Sequence, residues 1–165
     1  MKPEAVNYLL PTILDYFCEE NFSKQAGICS LYKHITPELQ NVYFCFMQKI
    51  NLAEKFSLFK EHWNPKIVGE LNGQQVKLVK FKGPFVWHHH ENEDELFYVV
   101  RGSFDMEFRD RTETIHAGEF IIVPRGVEHQ PNAAEEVEVL LFEPASTLNT
   151  GNTENEKTVK NLQHL

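Results

Sequence analysis

From Ile67 onward the apolar residues of this 165-residue chain recur at every second position, and turn signals interrupt the pattern at intervals of about eight to twelve residues. Side chains two apart share one face of a strand, so a helix through this region would leave half of its apolar groups in water. The sequence Leu71-Asn72-Gly73-Gln74 is a hairpin turn signal. After it Val76 and Leu78 share one strand face, and Val79 and Phe81 take the alternate positions. Between 103 and 116 the alternation returns, with Phe104, Met106 and Phe108 on one side, Asp105, Glu107 and Arg109 on the other, and a turn near Asp110 and Arg111. Residues 120–123 and 137–142 supply further strands. Many short strands between turns predict a mainly β domain, either a jelly roll or a barrel.

The stretch 83–102, GPFVWHHHENEDELFYVVRG, carries the chemistry. It reads as two antiparallel strands joined by the polar loop Glu91-Asn92-Glu93-Asp94. On the first strand His88 and His90 share a face, His89 points away, and Glu95 opens the return strand. Two imidazoles and a carboxylate on one side suit a first-row divalent metal. A further imidazole comes from downstream, where a Pro-Arg-Gly turn hands the chain to His129. His89 and His116 are expected at the surface, at an interface or in support of the site. Strand parity makes Phe85, Phe97 and Met106 pocket-lining candidates.

These two stretches resemble the paired motifs of the cupin superfamily. The first motif is met by Gly83, His88, His90, Glu95 and Gly102, and the second by Gly118, Pro124, Gly126 and His129. Gly83 stands one residue closer to the first histidine than in the usual pattern. The asparagine expected four positions after His129 is replaced by Ala133, with Asn132 one place early. The resemblance spans roughly 70–145. It implies a cupin jelly-roll β-barrel and a metal held by His88, His90, Glu95 and His129. The ion would be one divalent transition metal: iron, manganese, nickel, zinc, copper or cobalt.

The rest of the chain sets bounds. A formal charge of −8, without a run of lysine or arginine, argues against nucleic acid or an anionic membrane as partner. No apolar run reaches the length of a bilayer span, and Glu4, Pro11 and Asp15 break the first stretch as a signal peptide, so a cytoplasmic location is expected. The three cysteines, Cys18, Cys29 and Cys45, are an odd, irregular set that reads as free thiols. Residues 1–46 read as a partly helical extension, with a helix from Thr36-Pro37-Glu38 or a strand through 42–46 both open. Met47 raises the expectation that this extension is lineage-specific or an upstream-start artefact. Residues 47–66 hold a covering helix over 51–64, capped by Asn51 and Glu54, with Leu52, Phe56, Phe59 and Trp63 as its packing stripe. Residues 67–145 form the barrel, and 146–165 read as a flexible polar tail.

Two classes of function follow from the resemblance. One is a metal-dependent enzyme on a small molecule, phosphomannose-isomerase-like or dioxygenase-like; the other is a non-catalytic module that binds a small ligand or metal. No catalytic acid or base stands at a motif position. A homodimer is expected, because an uncovered sheet edge invites pairing.

Overall fold

The computed structural model describes residues 49–165. The expectations for 1–46, its helices and its cysteines lie outside the described residues. The described strands lie in the compact unit Ile50–Leu165. These are β1 (Lys66–Leu71), β2 (Gln74–Pro84), β3 (Glu95–Arg101), β4 (Ser103–Phe108), β5 (Thr112–His116), β6 (Phe120–Val123), β7 (His129–Pro144) and β8 (Gln163–His164), preceded by helix α1 (Leu52–Ser57).

The sheet is built around β7. Along one edge it pairs antiparallel with β2, from Gln74 opposite Pro144 to Pro84 opposite Asn132. Along the other edge β3 takes its C-terminal half and β4 its N-terminal end. Gly102 turns the chain from β3 to β4 at φ 88, where an added Cβ would crowd Val137 and the carbonyl of Glu136. The β1–β2 turn has Asn72 at φ 52 and Gly73 at φ 77, the left-handed pair that matches the twist of a two-residue hairpin.

The two faces of β2 separate two apolar layers. Val79 and Phe81 point inward with Phe97, Val99, Phe104 and Met106 to form the barrel core. Leu78 points outward and packs with Phe56, Phe59 and Val68 under α1. Phe120 and Ile122 stay exposed on β6, a strand whose one partner is β3. No described helix is long and apolar enough to cross a membrane.

Three expectations need correction. The covering helix spans six residues and not 51–64. Asn51 caps it by accepting from the backbone N–H groups of Ala53 and Glu54, at 3.1 and 3.3 Å. It stops because the chain must reach the sheet: His62 bridges to Lys80, and the Trp63 N–H donates to the Lys80 carbonyl at 2.9 Å. Trp63, at φ 58, therefore lies on no helical stripe.

The second correction concerns 83–102, which is not a hairpin. β3 pairs with β6 and β7, while the segment before it pairs with the start of β7. Nearly the whole length of β7 thus lies opposite β2 and its continuation to His88.

The third concerns 146–165, which is packed and not a loose tail. Thr147 and Thr150 are buried, and β8 pairs parallel with β1. Its polar side chains bond to one another and to the segment's own backbone, so composition alone misleads.

Candidate metal centre

Three backbone devices place the four predicted donors. His88 and His129 are direct cross-strand partners, exchanging N–H to carbonyl bonds of 3.1 and 2.9 Å. That pairing sets their rings side by side, with centroids 4.2 Å apart. The carbonyl of His90 accepts from Gly126 at 2.7 Å, tying the second histidine to the turn after β6. Gly126 adopts φ 77 there, a conformation costly for a side-chain-bearing residue. Glu95 begins β3 opposite Val123, the last residue of β6. One end of the barrel therefore gathers the three imidazoles and the carboxylate.

All four side chains are buried, and one donor atom from each lies within 4.8 Å of the others. The rings of His88 and His129 turn Nδ1 toward backbone carbonyls, those of Val86 and Val127, both at 3.0 Å. A carbonyl can only accept, so Nδ1 carries the proton and the Nε2 lone pair is left to face the cluster. His90 Nε2 and His129 Nε2 approach Glu95 Oε2 at 3.2 and 3.6 Å, yet none of these three buried atoms has a hydrogen bond of acceptable geometry. Orphaned polar atoms of this kind are costly in a dry interior. The donor set fits a divalent transition metal, which would satisfy all of them at once.

Protonation suits the same role. Burial first, and His129 second, push the His88 imidazole down to about 4, so it is a neutral donor at ordinary pH. Burial pushes the Glu95 carboxyl up, but the His129 and His90 rings more than offset this and hold it below the usual carboxylate range. Behind Glu95 stands a second buried carboxyl. Glu143 meets Lys77 at 2.7 Å, both 1% exposed, and burial together with the Glu95 charge pushes Glu143 well above the usual range. Nothing in the spacing of β2 and β7 announced this pair.

A small apolar cavity, open to solvent, reaches the cluster at His88 and Glu95. Of the three residues strand parity singled out, Phe85 and Phe97 line it and Met106, buried in the core, does not. Trp63 lines it too, stacked on Phe81 and Phe85 with centroids 4.4 and 4.7 Å apart. Helical spacing in the sequence reads Trp63 as a packing group, whereas the structure also sets its ring on the cavity wall. Asn149, from the supposed tail, completes the wall. His89 turns outward to Glu91 at 2.8 Å, and His116 is exposed on β5.

Comparison with known proteins agrees with this architecture. The Cupin domain family, Cupin_2, matches residues 77–143. A cupin-2 domain containing protein from Shewanella frigidimarina is 48% identical, with a TM-score of 0.57 over 58% of this chain and 93% of its own. A Neisseria meningitidis protein of known structure is 33% identical, with a TM-score of 0.55 over 59% of this chain and 100% of its own. The uncharacterized Bacillus subtilis protein YdbB is 36% identical over 64 residues, which are 38% of this chain and 57% of that protein. With the barrel, its donor cluster and these relatives together, the chain belongs to the cupin superfamily, as a small cupin-2 protein.

Proposed function

We propose that His88, His90, Glu95 and His129 hold one divalent transition metal, and that this chain is a small metal-dependent enzyme whose ligand sits in the adjoining cavity. The observation that carries this reading is the convergence of orphaned, buried donor atoms at the floor of an apolar cavity. Three histidines and one carboxylate leave coordination positions free, in contrast to a closed four-thiolate site. Bound there, a metal would supply Lewis acidity or a place for dioxygen.

The chain's own residues decide what can approach. Trp63, Phe81, Phe85 and Phe97 offer ring faces and edges, so they favour a ligand with a hydrocarbon or aromatic body that chelates through oxygen. Among the described residues lining the cavity, the titratable ones are His88 and Glu95, which belong to the donor set. Among the described residues no separate base or cation lines this cavity, and that favours dioxygenase-like chemistry over isomerisation of a sugar phosphate. The same lack of a base supports a second reading, a module that captures a chelating metabolite without turning it over.

Metal content of the purified protein is the first measurement, followed by oxygen uptake and isomerisation across keto acids, catechols and sugar phosphates. Stoichiometric metal and oxygen uptake with a chelating acid or catechol are expected. His90→Ala should abolish turnover and weaken metal binding by at least about 10–100-fold, the range found for changes around metal ligands. Saturable thermal shifts without turnover would establish the module instead. Protein that takes up no metal would overturn both readings.

A further inference from the structure

The family match ends at residue 143, and the chain then turns back onto the metal centre. Segment 149–159 is closed on itself. The Asn149 side chain accepts from the Val159 N–H and donates to the Lys157 carbonyl, both at 2.9 Å, and the hydroxyls of Thr150 and Thr158 meet at 2.8 Å. At the other limb the Lys157 ammonium donates to the Pro84 carbonyl at 2.8 Å and lies 5.6 Å from the ring centroids of Trp63 and Phe85. The loop is thereby held across the aromatic wall of the cavity.

Its contact with the donors is local. The Asn152 N–H donates to the His89 carbonyl at 3.0 Å, and the His89 N–H donates to Asn152 Oδ1 at 3.0 Å. Both backbone polar groups of the residue between His88 and His90 are satisfied by this one side chain and its own amide. Gly151, at φ 51, fits against the same peptide so closely that a Cβ would run into the His89 carbonyl oxygen, with the His88 ring 3.3 Å away. The sheet does not do this work, because His88 makes an isolated bridge and 89–94 lies outside every strand. A peptide free to rotate at His89 would swing the two neighbouring imidazoles apart.

We infer that Gly151 and Asn152 are positioning residues of the metal centre, clamping the His89 peptide so that His88 and His90 stay converged on Glu95 and His129. This rests on the metal reading above. Groups that orient metal ligands without touching the metal typically alter affinity by about 10–100-fold.

The test uses the full chain and Co²⁺, with affinity measured by chelator competition and the melting temperature of the metal-free protein measured alongside. Asn152→Ala should weaken Co²⁺ binding about 10–100-fold. Asn152→Asp keeps an oxygen for the His89 N–H and should restore most of the loss. Metal-free melting of these two variants should be nearly the same. Gly151→Ala should lose at least as much affinity as Asn152→Ala; if it does not fold, the Asn152 pair carries the test. Variants that bind like the wild type, or lose affinity only in step with their metal-free melting temperature, overturn the inference while leaving the metal reading intact. A wild-type protein that takes up no Co²⁺ removes both.

Discussion

Protonation of His88 bears directly on the donor cluster. Its imidazole, pushed by burial to about 4, would titrate at about 6.5 in the unfolded chain. Between those values the unfolded state binds the extra proton, so the His88 contribution is fully present above pH 6.5 and declines as pH falls toward 4. The loss is on the order of 3 kcal/mol. Glu143, held above its ordinary value, acts with the opposite sign as pH rises from about 4.5, so the His88 effect is best read as a difference. In metal-free protein, wild type minus His88→Gln stability should fall through this window; a pH-independent difference would contradict the assignment. At this scale the sequence was most informative about residues close together along the chain. His88, His90 and Glu95 lie within eight consecutive positions and His129 follows its own turn, so their spacing and the motif resemblance singled out the four side chains that the structure brings together. Trp63 and Asn152 reach the site from opposite ends of the barrel sequence, and no local period points to either.

Among the elements, strand existence was easier to read than strand partnership. The β4–β5 hairpin and its turn lie where alternation put them. The first motif misled because a polar four-residue loop between two alternating runs looks like a hairpin, while backbone pairing carries one run to β7. Interior polar pairs were also hidden: Lys77 on β2 resembles an outward residue of an ordinary strand, yet its ammonium is buried against Glu143 on β7 and reaches the Thr147 carbonyl at 3.5 Å. Removing one partner from such a pair typically costs about 3–5 kcal/mol, whereas apolar replacement of both is often neutral or better. Denaturant melts should therefore show Lys77→Met destabilised by about that amount and Lys77→Met/Glu143→Leu recovering most of it. Equal losses in the single and double variants would mean the pair contributes shape and not charge.

For the molecule as a whole, turn signals and alternation were enough to predict a closed β architecture, and the motif pair named its family. What they could not convey is how much one strand organises. β7 is the longest of the described strands, and its central residues Val137 and Val139 are wholly buried. Because β2, β3 and β4 all hydrogen-bond to it, none of these three strands can leave the sheet without breaking its ladder. Native-state deuterium labelling should accordingly find the amides of Val137, Val139 and Leu141 exchanging only through complete unfolding, with denaturant sensitivity equal to that of the global transition. A shallower dependence there would reveal a smaller opening unit. The barrel would then come apart in stages, and the His88–His129 pair at the start of this strand would be released at a different time from Glu95, which opens the strand paired with its other half.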